Sequence, residues 1–251
     1  LSNISLPATR EEALEDCKKE CPGPENCPQG GEILYQPRDD KYGPYFVECP
    51  VYARWKLQME LNKKIMDTIP KKFWNKSFEN FKPYNKDLKA ALNIAQRYVA
   101  KKAWMVGANI IFLGGYGVGK THLTAAIVRE IIKEGYNAAF IVASSLVYSD
   151  LEEIKAVFKK IRDIDLVAVD DISAETEHKF ILSEIFDLIN YRYEAEKGII
   201  LTSNLPPSEF KEALGERILD RLIERSAFVN ISNTESFRKR KRSDYLEWME
   251  G

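Results

Sequence analysis

A glycine-rich run in the middle of the chain has the residue types and spacing to hold a phosphate. Gly114-Gly-Tyr-Gly-Val-Gly-Lys-Thr121 satisfies G-x-x-x-x-G-K-[ST] at every required position. It lies between a short apolar stretch, Ile110 to Leu113, and a segment with helical periodicity, the context the motif demands. Glycines let successive backbone N–H groups turn inward into an anion nest, which the following helix N-terminus reinforces. On this reading Gly115, Tyr116, Gly117, Val118 and Gly119 wrap the phosphates, and Lys120, Thr121 and His122 open the helix. Lys120 can reach the β- and γ-phosphates, and the Thr121 hydroxyl can ligate Mg²⁺. ATP or ADP with Mg²⁺ is the expected ligand. A glycine-rich turn with an incidental lysine is the alternative, and the flanking strand and helix weigh against it.

Three further constellations follow in order. Leu166-Val-Ala-Val-Asp-Asp171 is an apolar strand ending in two carboxylates. Asp170 would hold the Mg²⁺ shell, mostly through water, and Asp171 would orient or deprotonate an attacking water. Two solvated acids at a strand end are the bland alternative, which the phosphate loop outweighs. Ile199-Ile-Leu-Thr-Ser-Asn204 places Asn204 at a strand tip, either to sense the γ-phosphate or simply to turn the chain before Pro206 and Pro207. In Leu214-Gly-Glu-Arg-Ile-Leu-Asp-Arg-Leu222, Arg217 and Arg221 are four apart on one helical face, with Ile218, Leu219, Leu222 and Ile223 on the other. Guanidiniums so placed can fork onto a phosphate held by a neighbouring subunit. From spacing alone, surface arginines bridging to Glu216 or Asp220 are the simpler reading.

All four cysteines, Cys17, Cys21, Cys27 and Cys49, fall in the first fifth of the chain. Such clustering suggests metal rather than disulfides in a reducing compartment. Four thiolates suffice for a closed tetrahedral Zn²⁺ site, and a [4Fe–4S] cluster uses the same donors. The spacing is not that of a standard C-x₂-C knuckle, and unliganded structural cysteines remain the alternative. No histidine is nearby, since His122 and His178 belong to the later part of the chain.

The elements that must position these groups alternate regularly. Strands are expected over Ile110 to Leu113, Ala138 to Val142, Leu166 to Val169, Ile199 to Thr202 and Phe228 to Ile231. Between them lie helical faces such as Leu151, Ile154, Phe158, Ile161 and Ile181, Ile185, Leu188, Ile189. Alternation of this kind predicts a parallel sheet covered on both faces. An N-terminal module is expected over residues 1–69. It would hold the cysteines and a helix from Tyr52 to Ile69, broken by Pro70. The ATPase domain would then occupy 70–251, entered through the aromatic, basic connector Lys71 to Phe81.

Bulk properties narrow the function classes. The 251 residues are 45% hydrophobic and 30% charged, ordinary for a globular protein. A net charge of -1 gives no global attraction to nucleic acid, so DNA contacts would need a local patch. The absence of a long apolar run or a signal-peptide pattern leads to an expected cytoplasmic location.

Several of these segments, in this order, resemble the DnaC/DnaI-type replicative helicase loaders and the related IstB transposition helpers. They are Ser77-Phe-Glu-Asn-Phe81, Gly119-Lys-Thr-His-Leu123, Asp170-Asp171, Thr202-Ser-Asn-Leu, the Leu214–Leu222 run and Ser236-Phe-Arg238. Together they span roughly residues 73 to 240. The resemblance implies an AAA+ P-loop core with a five-stranded parallel sheet in order 5-1-4-3-2 and no helical lid. It also implies that Arg221 is an arginine finger acting in trans with Arg217 close by, and that ATP at subunit interfaces drives self-assembly. Arg238 could partly replace the arginine of the missing lid, and His122 would serve packing or capping. The expected partners are a replicative DNA helicase, engaged through a metal-stapled N-terminal module, and single-stranded DNA. DNA would contact about Ser144 to Ile161, where Lys155, Lys159 and Lys160 are available unless they form a solvated face. The basic run Arg238 to Arg242 would contact DNA or form a solvated tail. Asp171 departs from the Glu that most AAA+ enzymes carry there, so hydrolysis would be slow. The function implied is ATP-dependent helicase loading, with an IstB-like transposition helper as the alternative.

Overall fold

The computed structural model describes residues 6–19, 21–172, 179–238 and 249. The chain divides into two compact units, 1–63 and 64–251.

The first unit begins with helix α1, Arg10–Lys19, followed by an antiparallel hairpin of β1, Glu32–Tyr35, and β2, Tyr45–Glu48. Sequence periodicity announces neither α1 nor the hairpin, because each strand has only four residues. Ile33 pairs with Val47 in the register, and both pack with Ala13 and Cys49 into a small core. Gly31, with φ +85, lets the backbone pass the Tyr52 ring, which a Cβ would meet at 2.2 Å.

Helix α2, Pro50–Thr68, opens on a proline, whose missing N–H costs nothing in the first turn. It ends before Pro70, and the division between the units falls within it. Trp74 satisfies carbonyls freed at that end, its indole N–H donating to Ile69 O at 2.7 Å and Met66 O at 3.1 Å.

The second unit is a five-stranded parallel sheet. Its elements in chain order are α3 (Lys86–Ala100), β3 (Asn109–Leu113), α4 (Lys120–Lys133) and β4 (Ala138–Val142). Then follow α5 (Leu151–Ile161), β5 (Leu166–Ile172), α6 (Lys179–Glu194), β6 (Ile199–Ser203), α7 (Pro207–Arg225) and β7 (Ser226–Asn230). The spatial order is β4-β5-β6-β3-β7, which is 5-1-4-3-2 counting within this sheet. β3 is buried along its whole length, as parallel strands covered on both faces require. Alternate strand residues (Ile111, Leu113, Val167, Val169, Ile199, Leu201) share one core with the apolar faces of α5, α6 and α7. α4 contacts the sheet at β4, β5 and β6, and α3 packs beside α4. Among the described residues no helix is long and apolar enough to cross a membrane.

Three local features differ from the sequence reading. β5 continues to Ile172, so both carboxylates lie within the strand rather than at its tip. α7 is two helical pieces joined at Gly215, whose φ of 71 and ψ of 160 are not helical. Ile223, expected on the apolar face of that helix, is 57% exposed. His178 and residues 239–242 of the basic run lie outside the described residues.

Candidate nucleotide-binding site

The glycine-rich loop leaves the C-terminal end of β3, between β6 and the edge strand β7. Gly114 N–H donates to Ser203 O at 3.2 Å, tying the start of the loop to the end of β6. Gly117 (φ 76) and Gly119 (φ 111) occupy backbone conformations open to glycine. Val118 between them is buried, and Tyr116, just before Gly117, is 66% exposed, with Gly115 preceding it. Lys120, the first residue of α4, is buried, and its ammonium folds back onto the carbonyls of Gly114 (2.7 Å) and Gly115 (2.8 Å). Burial lowers its pKa; Asp170 and Asp171 oppose that shift, and Arg238 adds to it.

The residues fit a bound phosphate and cation on physical grounds. Asn204 places its amide Nδ2 in a buried position with no partner among the described residues. An orphaned donor beside a glycine nest is what an incoming anion would satisfy. Asp170 is buried, and burial pushes its carboxyl up to about 6 against hydrogen bonds from Thr202 and Thr121. A divalent cation there would favour the ionised form.

A bulge in β5 separates the roles of the two acids. Val169 pairs with Leu201 and Ile172 with Ser203, so three steps on β5 match two on β6. Asp171 takes up the excess in a left-handed conformation, φ 62, uncommon for a residue with a side chain. Thr202 holds the bulge from the opposite strand. Its hydroxyl donates to Asp170 Oδ1 at 2.7 Å and accepts from Asp171 N–H at 2.9 Å. Asp171 Oδ2 accepts from the Ser144 hydroxyl at 3.0 Å. Sequence reasoning missed Thr202 and Ser144 as site residues; a buried hydroxyl opposite two acids was the available signal for Thr202.

The connector and the C-terminal segment close over the loop. His122 Nε2 donates to Ser77 O at 2.9 Å, and its ring meets Phe81 edge to face at 5.0 Å. The His122 ring is thus committed to the connector, and burial lowers its pKa. Phe81 covers Gly119 so closely that a Cβ there would lie 2.8 Å from its ring. Phe237 N–H donates to Gly117 O at 2.9 Å, and Ser236 and Arg238 fill the space beside Gly117. Asn85, which caps α3 through Leu88 N–H, also donates to Thr234 at 3.1 Å and so anchors that segment.

The remaining predicted residues make no hydrogen bond or ion pair with this loop among the described residues. Arg217 is exposed. Arg221 turns onto α6, where it donates to Asn190, stacks 5.3 Å from the Tyr193 ring and lies 3.9 Å from Glu194. It makes no bridge to Glu216 or Asp220 among the described residues. Together with Asn109 and Ile199, the first residues of β3 and β6, Arg221 lines a small cavity. That places it toward the N-terminal ends of the strands, whereas the glycine loop follows their C-terminal ends. Lys155, Lys159 and Lys160 are exposed on α5, with Lys155 near Glu152 (3.5 Å) and over the Phe180 ring (5.7 Å).

Cys17, Cys21, Cys27 and Cys49 line one cavity of the first unit, and Cys17 is hydrogen-bonded to Cys49. Their burial differs, with Cys49 in the small core and Cys21 exposed, and Cys27 Sγ accepts from Gly31 N–H at 3.3 Å. Among the described residues no three His, Cys, Asp or Glu side chains form a group that could hold a metal ion. The expected zinc or iron–sulfur staple is therefore not seen.

The family model described as IstB-like ATP binding protein matches residues 66–245. The replicative helicase loader DnaC of Escherichia coli K12 is 27% identical over 173 residues, covering 66% of this chain and 70% of DnaC. An insertion sequence ATP-binding protein of Sinorhizobium fredii is 31% identical over 153 residues, covering 56% of this chain and 50% of its own. A crystal structure of a DnaC helicase loader superposes with a TM-score of 0.59 at 24% identity, covering 65% of this chain and all of that one. At that identity the superposition speaks for the fold: an α/β P-loop sheet of the AAA+ kind. With nearly three quarters of its length inside the family match, the chain belongs to the IstB-like ATP-binding proteins, a family of the DnaC-type AAA+ class.

Proposed function

We propose that this protein is an ATP-dependent loader that places a replicative DNA helicase on single-stranded DNA. The observation that carries the reading is the separation of Arg221 from its own glycine loop. β7 begins at Ser226, opposite Asn109, while the loop follows Leu113. A five-residue strand separates its ends by roughly 13 Å, and Arg221 shares its cavity with Asn109 and Ile199 at the far ends of β3 and β6, which sets it apart from the loop of its own chain. A neighbouring copy can use it, which makes ATP a bridge between subunits.

In the mechanism, the loop amides and Lys120 bind the β- and γ-phosphates once Lys120 leaves the Gly114 and Gly115 carbonyls. Bound Mg²⁺ would offset charge on the transferring phosphoryl group; Thr121 and Asp170 are the residues to hold it. Asn204 donates to the γ-phosphate or the lytic water, and Asp171 orients that water. Arg221 of the adjacent copy, with Arg217 one turn away, stabilises the charge that develops. Hydrolysis removes the γ-phosphate and loosens the interface, linking nucleotide state to assembly. Residues 144–161 present Tyr148, 93% exposed, and the α5 lysines to single-stranded DNA. The first unit engages the helicase; no step depends on a metal there.

The 31% identity to an insertion sequence protein favours a second reading, a transposition helper that assembles on DNA with a transposase. Native mass of the protein mixed with its host's replicative helicase, with and without ATP, separates the two. A defined complex lost on deletion of residues 1–63 supports the loader. DNA binding with no complex in any nucleotide state transfers the assignment to the transposition helper.

A further inference from the structure

The side chain of Arg221 is engaged on one edge only. Nη1 donates to Asn190 Oδ1, and Cζ of the guanidinium lies over the Tyr193 ring, 5.3 Å from its centroid. Nε and Nη2 have no hydrogen-bond partner among the described residues. The side chain is 21% exposed, and the two nitrogens left without a partner are the ones that could fork onto phosphate oxygens.

Tyr193 is itself fixed, because its hydroxyl donates to Glu224 one turn beyond Arg221 on α7. Asn190 and Tyr193 are neighbours on the α6 face toward α7, three residues apart. α6 is anchored at the same end by Arg192, whose buried guanidinium donates to the carbonyls of Arg162, Ile164, Asp165 and Gly198. Glu194 is 71% exposed and 3.9 Å from Nη1, so it offers a weak, screened contact that a phosphate would readily replace.

We infer that Asn190 and Tyr193 are positioning residues that fix the Arg221 side chain for the nucleotide of the adjacent subunit. An unsupported arginine would sample many rotamers and would have to be ordered at each encounter. A side chain already stacked and hydrogen-bonded avoids that cost when the subunits meet. The inference rests on the reading that Arg221 acts in trans.

Mixed full-length chains test it. One chain carries Arg221→Ala and keeps an intact glycine loop; the other carries Lys120→Ala and keeps Arg221. Neither turns over ATP alone, and the mixture is expected to do so. Adding Asn190→Ala or Tyr193→Leu to the chain that supplies Arg221 should then lower the restored kcat roughly ten- to hundredfold. The same substitutions in the chain that lacks Arg221 should not lower it, which separates positioning from a general folding defect. Tyr193→Phe, which keeps the stacked ring, should stay within about threefold. Equal losses whichever chain carries the substitution, or no loss in either, would overturn the inference while leaving the trans arginine standing. If the two chains fail to restore turnover that the wild type shows, the trans reading falls, and this inference with it.

Discussion

Ser144 donates its hydroxyl proton to Asp171 Oδ2 across 3.0 Å, and in doing so occupies the carboxylate assigned to the lytic water. Ser144 is the second residue of a short 3₁₀ segment, Ala143–Tyr148, that leads into α5. One hydrogen bond therefore connects the surface assigned to DNA with the acid assigned to hydrolysis. The Asp171 backbone, set in its bulge by Thr202, leaves the side chain's rotamer as the simplest remaining freedom.

Removing that hydroxyl should release the acid. Ser144→Ala is expected to raise DNA-free ATP turnover a fewfold and to reduce stimulation by single-stranded DNA by a similar factor. Steady-state phosphate release with and without an oligonucleotide measures both. Unchanged turnover with unchanged stimulation would show that the bond does not restrain Asp171. Asp171→Asn should bind ATP as the wild type does and lose turnover.

Thr202 has the more demanding role, since one hydroxyl serves both acids. Thr202→Val conserves volume but leaves the Asp171 N–H without its partner and withdraws a donor from Asp170. The cost in unfolding free energy is expected to be about 1–3 kcal/mol. Mg²⁺-dependent ATP affinity should weaken as well, and Thr202→Ser should recover most of both. Denaturant unfolding and nucleotide titration give the two readouts.

How much of this could be read in advance follows physical lines. The glycine loop and the strands were legible because buried parallel strands read as apolar runs and phosphate binding demands a fixed glycine–lysine spacing, whereas the sheet order came only from the family resemblance. The bulge at Asp171 was not, because a one-residue mismatch in register leaves no mark on periodicity. The helical break at Gly215 had a signal, a glycine before Glu216, but amphipathic spacing carried the reading through it. Contacts made across the fold, such as Ser144 to Asp171 and Asn190 to Arg221, join residues 27 and 31 positions apart. No local pattern encodes such pairs. The four cysteines illustrate the converse: a composition that suggests a metal without fixing where each thiol stands.

The connector gives the chain a pH dependence of definite sign. His122 has its pKa lowered below 6.5, burial being the main cause, so the folded state takes up a proton at lower pH than the unfolded chain. Between those two values the unfolded state binds more protons, and stability rises with pH. The contribution is present above pH 6.5 and is lost as pH falls through the folded value. The thermal midpoint of the wild type should therefore fall between pH 7 and pH 5 by more than that of His122→Gln. Parallel curves for the two proteins would assign the acid sensitivity elsewhere.

Arg192 should be the most expensive single truncation in the second unit. Its side chain has no exposed surface, and it donates to four carbonyls rather than to a carboxylate. Burial lowers its pKa to about 10, which leaves the guanidinium charged at neutral pH. Arg192→Met would remove those donors while keeping an unbranched apolar stem, stranding carbonyls at the start of β5 and β6. A loss of about 3–5 kcal/mol is expected from breaking a buried, hydrogen-bonded charge, seen as a fall of roughly 10 °C or more in the unfolding midpoint. Arg192→Lys should recover only part of that, because one ammonium cannot reach all four carbonyls. A midpoint within two or three degrees of the wild type would mean that water replaces the guanidinium at these carbonyls without appreciable cost.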